Sequence, residues 1–102
     1  MFIDNLIVKI KEKNNPTVVG LDPKIEYVPF KIKEKAFSTY GKNLKGCSEA
    51  ILEFNKKIID AIADIVPALK LQMAYYELYG VSGIEVLSKT IEYGRSKGLL
   101  II

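Results

Sequence analysis

Histidine is absent from this 102-residue chain, and cysteine occurs once, at Cys47. Without histidine, no serine–histidine pair can operate within the chain. One cysteine, with no paired-cysteine spacing, argues against a zinc site. It also excludes an internal disulfide and suits a reducing cytosol. No apolar run approaches membrane-spanning length, so no membrane partner is expected. The opening MFIDNLIVKIKEK is amphipathic and contains an acid, unlike a signal peptide, so the expected location is cytoplasmic. Glycine-rich phosphate loops are missing after both internal strand candidates. Internal repeats and low-complexity segments are missing too.

What is present is an ordinary globular balance, with 49% hydrophobic and 26% charged residues. The net charge of +3 is mild. Lysines are interspersed with acids along helical faces, which reads as solvated surface rather than a nucleic-acid footprint. The length suits one domain, yet falls below that of most enzyme barrels.

Phe2, Ile3, Leu6, Ile7 and Ile10 recur at helical spacing, so a helix is expected over Phe2–Lys13, ended by Asn14, Asn15 and Pro16. Thr17–Asp22 (TVVGLD) is a β-branched run and reads as a strand, with Val19 and Leu21 on one face and Val18, Gly20 and Asp22 on the other. Pro23 removes a donor and stops the ladder. Phe30–Phe37 suits a short helix, and Ser38–Gly46 reads as a polar loop. The clearest helix is Cys47–Val66, with Ser48 as N-cap and Ile51, Phe54, Ile58, Ile62 and Ile65 on its buried stripe. Ser82 and Glu85 are spaced as a capping box for a helix to about Ser96, whose buried face is Ile84, Leu87 and Ile91. Gly98 is its C-terminal glycine, and Leu99–Ile102 (LLII) is a third strand.

Between the last two helices lies Ala68–Gly80, ALKLQMAYYELYG. Strand alternation places Leu69, Leu71 and Met73 on one face, and Ala68, Lys70, Gln72 and Ala74 on the other. Parallel sheets are normally covered on both faces, so Lys70 is expected to point into protein. A buried ammonium needs a carboxylate or a ligand beside it.

Strands alternating with helices predict a parallel α/β sheet with right-handed crossovers. A doubly wound sheet and the start of a (β/α)8 barrel both fit. Asp22 at a strand end, with Lys70 and Gln72 on the matching face of the next strand, favours the barrel. A complete barrel typically takes ~250 residues. The chain stops within LLII, so it is expected to be the N-terminal portion of a single TIM-barrel domain, truncated after three parallel strands. A self-contained three-stranded domain is the other reading.

Taken together, TVVGLDP, EFNKKIIDAIADIVPALKLQMAYYELYG and IEYGRSKGLLII resemble the N-terminal part of bacterial orotidine 5'-phosphate decarboxylase, in the branch with a long segment between the first two barrel strands. The resemblance implies a (β/α)8 barrel that converts orotidine 5'-phosphate to UMP in de novo pyrimidine synthesis. It further implies no metal or organic cofactor and a homodimer at full length. Asp22 matches the family aspartate that hydrogen-bonds a ribose hydroxyl. Lys70 matches the lysine that contacts the ribose and joins the charged network beside the reacting carboxylate. Lys70 would thus position and balance charge rather than donate the proton. The proton donor belongs to an Asp-x-Lys-x-x-Asp pattern after the third strand, beyond Ile102, so the chain alone is expected to be inactive. Leu71 stands where the family usually has proline; it falls on the outward face, where the change affects packing.

Each residue taken singly has a plainer reading. A strand lysine often snorkels, and an aspartate before proline often only forms a turn. Tyr75, Tyr76 and Tyr79 read as packing, and Asn55 as a surface or cap residue. Another sugar-phosphate barrel enzyme, or a non-catalytic half-barrel module pairing through open strand edges, are the alternatives.

Overall fold

The computed structural model describes residues 1–22 and 24–102; the role expected of Pro23 lies outside the described residues. Helix α1 spans Phe2–Lys13 as the periodicity predicts, and Asn14 closes it in the left-handed conformation at φ 50°. None of its residues is buried, so the stripe of Phe2, Ile3 and Ile7 stays exposed.

Strands β1 (Val18–Gly20), β2 (Ala68–Lys70) and β3 (Leu100–Ile101) form a parallel sheet in the order β1-β2-β3. Val18 pairs with Ala68, Gly20 with Lys70, and Ala68 with Leu100. Helices α2 (Phe30–Tyr40), α3 (Leu44–Ile62), α4 (Met73–Glu77) and α5 (Gly80–Ser96) complete the fold, with a short 3-10 turn at Ile25–Tyr27.

One face of the sheet carries the core. Val19, Leu21, Leu69, Leu71 and Ile101 meet Ile58, Ile59, Ile62 and Ala63 from the α3 side and Tyr93 of α5. Each fully buried aliphatic here, such as Ile59 or Leu69, contributes roughly 1.5–3 kcal/mol. A second cluster joins the helices through Val28, Ile51, Leu52, Tyr76, Val86 and Leu87. Close helix approach requires glycine: a Cβ at Gly83 of α5 would lie 2.0 Å from the Tyr76 carbonyl oxygen. Gly98 takes φ 85° and ends α5, with the Leu99 N–H donating to the Gly94 carbonyl at 3.0 Å.

Several expectations are corrected. β2 ends at Lys70, and α4 starts at Met73, so Met73 is exposed rather than on the core face. α2 runs on to Tyr40. α3 begins at Leu44 because the Asn43 side chain accepts from the Gly46 N–H at 2.9 Å, leaving Ser48 inside the helix. It ends at Ile62, so Ile65 is exposed and Val66 is buried beyond the helix. Ser82 and Glu85 lie within α5, which has no side-chain cap, and Ile84 is exposed while Val86 and Thr90 are buried. No helix among the described residues is long and apolar enough to cross a membrane.

Candidate functional site

The parallel register sets the site. Gly20 and Lys70 are direct partners, and the Leu21 N–H donates to the Lys70 carbonyl at 3.0 Å. Asp22 therefore follows the ladder's last bond at the carboxyl end of β1, beside the carboxyl end of β2. Its carboxylate lies back over Gly20: a Cβ there would sit 3.7 Å from Oδ2. Asp22 and Lys70 thus emerge at the same end of neighbouring strands, where a barrel of this kind places its chemistry.

Lys70 is exposed, contrary to the expectation that it points into protein. The reason is that α3 and α5 cover only the face carrying Leu21 and Leu69. Among the described residues Lys70 forms no salt bridge, so the carboxylate partner expected beside it is not present either. Asp22 is exposed as well. The structure brings the two residues to one edge without pairing them.

Asp22 also borders a cleft of about 180 Å3, lined among others by Lys24, Tyr27, Phe54, Asn55 and Ile58. Behind the cleft runs a buried polar chain that periodicity missed. Tyr76 Oη donates to the Leu21 carbonyl at 2.9 Å. Asn55 Nδ2 donates to Tyr76 Oη and to Thr90 Oγ1, both at 3.2 Å. Tyr76, Asn55 and Thr90 are 1%, 3% and 0% exposed. Asn55 is therefore neither a surface nor a cap residue. Its position four residues after Ile51 and four before Ile59 was the available signal, because that spacing sets it within the apolar stripe.

One turn after Tyr76, Tyr79 Oη accepts from the Ile25 N–H at 3.2 Å. Tyr76 and Tyr79 are packing residues, as read from the sequence, but each also carries a polar bond to the segment around Asp22. Burial pushes the Tyr76 hydroxyl up to about 12, the Asn55 bond opposes this, and the charge of Asp22 adds to it. The hydroxyl consequently stays a donor at neutral pH. Burial likewise raises the Cys47 thiol, with Glu26 adding to the effect and Lys33 opposing it, which disfavours a reactive thiolate.

No protein-family model matches the chain. Curated relatives do. The orotidine 5'-phosphate decarboxylase of Petrotoga mobilis is 45% identical over 96 residues, which are 94% of this chain and 30% of the relative. That of Clostridium perfringens (strain SM101) is 41% identical over 102 residues, covering 100% of this chain and 32% of the relative. That of Caldicellulosiruptor saccharolyticus is 36% identical over 101 residues, 99% of this chain and 33% of the relative. A crystal structure assigned to orotidine 5'-phosphate decarboxylase from Streptomyces avermitilis superposes with a TM-score of 0.69 at 24% identity, over 98% of this chain and 31% of that one. At that identity the superposition speaks for the fold. The chain spans about a third of the length of the proteins it matches. Along its whole length, then, this chain is similar to the N-terminal part of orotidine 5'-phosphate decarboxylase, and its three-stranded parallel sheet corresponds to a portion of that enzyme's TIM barrel.

Proposed function

We propose that residues 1–102 are the N-terminal part of a single (β/α)8 barrel that decarboxylates orotidine 5'-phosphate to UMP in de novo pyrimidine synthesis. The observation that carries the reading is the common position of Asp22 and Lys70 at the carboxyl edge of adjacent parallel strands. Similarity along nearly the whole of this chain to about a third of enzymes of that name supports it.

In this reading Asp22 accepts a hydrogen bond from a ribose hydroxyl. Lys70, exposed and free of any ion pair among the described residues, offers its ammonium to the ribose and to the charged array beside the substrate carboxylate. Loss of carbon dioxide from the orotate ring leaves a poorly delocalised carbanion, so preorganised charge is what the protein supplies. The proton that replaces the carboxylate comes from a lysine beyond Ile102. The full-length protein works in the cytoplasm as a homodimer and uses no cofactor.

The test compares two purified proteins, one extended to the length of the relatives and one limited to residues 1–102. The extended protein is expected to convert orotidine 5'-phosphate to UMP, and the short one to show nothing above background. Turnover by the short chain, free of host enzyme, would move the proton donor into residues 1–102. An inactive extended protein that folds normally would sink the activity itself.

A further inference from the structure

Helix α4 begins three residues after Lys70, and two tyrosine hydroxyls, Tyr76 within it and Tyr79 in the turn between α4 and α5, reach back to the segment around Asp22. Tyr76 takes the Leu21 carbonyl, immediately before Asp22. Tyr79 takes the Ile25 N–H, three residues after it. Tyr76 sits in α4, and Tyr79 sits in the turn that joins α4 to α5. The chain near Asp22 is thus held on both sides by hydroxyls from α4 and from the turn that follows it.

The grip is backed from the other helices. Tyr76 spends its proton on Leu21, so its oxygen can only accept from Asn55, and this fixes which end of the Asn55 amide faces it. Asn55 is steadied in turn by Thr90 of α5. Gly83, in the same helix, lets α5 approach the Tyr76 carbonyl closely and sets the position of α4. Hydroxyls with no role other than packing would be replaceable by phenylalanine at nearly every point of such a cluster. Here each has a named partner on the Asp22 segment.

We infer that Tyr76 and Tyr79 are positioning residues: they hold the backbone on either side of Asp22 in register with Lys70, with Asn55 and Thr90 as their support. They touch no substrate. Their effect passes through Asp22, and a substrate contact at Asp22 rests on the proposed decarboxylase reading. A displacement of about 1 Å in such a group is enough to cost one to two orders of magnitude in rate.

Two measurements test this. The first needs no turnover: amide hydrogen exchange of Leu21, Asp22, Lys24 and Ile25 in Tyr76→Phe, Tyr79→Phe and the double variant. Phenylalanine keeps the ring and the packing, so the fold is retained. Exchange at these amides is expected to quicken about tenfold in the double variant while amides in the middle of α3 and α5 stay as they were. Unchanged exchange near Asp22, or equal quickening everywhere, overturns the positioning role whether or not the enzyme reading stands. The second is a double-mutant cycle on kcat/KM for orotidine 5'-phosphate in the full-length protein. Tyr76→Phe should lower it about tenfold in the parent and less than twofold once Asp22→Ala is present. Equal losses in both backgrounds mean a merely structural tyrosine. Absence of turnover in the parent counts against the decarboxylase reading alone, and the exchange result then decides for the tyrosines.

Discussion

Replacing Asn55 by alanine separates a surface asparagine from a buried structural one. Both hydrogens of its Nδ2 are used, on Tyr76 Oη and on Thr90 Oγ1. Net loss of two such bonds costs about 1–3 kcal/mol. The Thr90 hydroxyl, with no exposed surface, and the second lone pair of Tyr76 would be left without this partner. The small cavity adds to the penalty, so the expected total is about 2–4 kcal/mol. For a domain of this size each kcal/mol corresponds to roughly 4–8 °C, and the melting temperature should fall by about 10–30 °C. A urea melt is the assay, with the midpoint expected to drop and the slope to hold. A change below about 0.5 kcal/mol is what surface substitutions give, and it would refute the buried network. Asn55→Asp provides the control by chemistry rather than volume. The new carboxylate can only accept, and it faces an oxygen whose proton is committed to Leu21. Burial raises its folded-state pKa, so the variant should recover stability as pH falls and lose it as pH rises through that value.

Three further outcomes follow from named groups. On the proposed decarboxylase reading, Lys70→Ala in the full-length protein should lower kcat/KM by about 100–1,000-fold with little change in the urea midpoint, since the side chain is exposed; a loss below about 5-fold would return Lys70 to an ordinary surface lysine. Ser48 Oγ is buried with no hydrogen-bond partner among the described residues, so Ser48→Ala should leave stability unchanged or raise it by about 1 kcal/mol, and a clear fall in the urea midpoint would reveal a hidden partner. The Tyr76 hydroxyl, raised to about 12 in the fold from 10.0, favours the folded state while protonated. That contribution, about 2–3 kcal/mol, is complete below pH 10 and is lost as pH rises toward 12. Urea melts across this window should show a steeper decline for the parent than for Tyr76→Phe, and parallel curves would contradict the assignment.

How much of this was legible depended on how far apart the partners lie in sequence. α1 and the end of α5 at Gly98 follow from local spacing and local backbone chemistry and appear where the residues predict them, while the three strands fall in the expected places but are shorter, Val18–Gly20, Ala68–Lys70 and Leu100–Ile101. The start of α3 was missed because Gly46 reads as loop punctuation. It is a packing glycine: a Cβ there would fall 1.9 Å from the Gly41 carbonyl oxygen, a contact set by the turn between α2 and α3. Lys70 was expected inside because parallel strands are usually covered twice, but α3 and α5 lie on one face only, and no periodicity can report a missing cover. The site divides along the same line. Asp22 and Lys70 stood out through the motifs that hold them and through their strand ends, both local features. Asn55 and Tyr76 gain their roles from partners 21, 35 and 55 residues away, so each looked like a plain helical polar or aromatic residue until the fold closed. Polar residues at the ends of strands can be recognised from type and place in a strand. Residues that hold them there become visible only once helix has met strand, and in this protein they converge on the carbonyl immediately before Asp22.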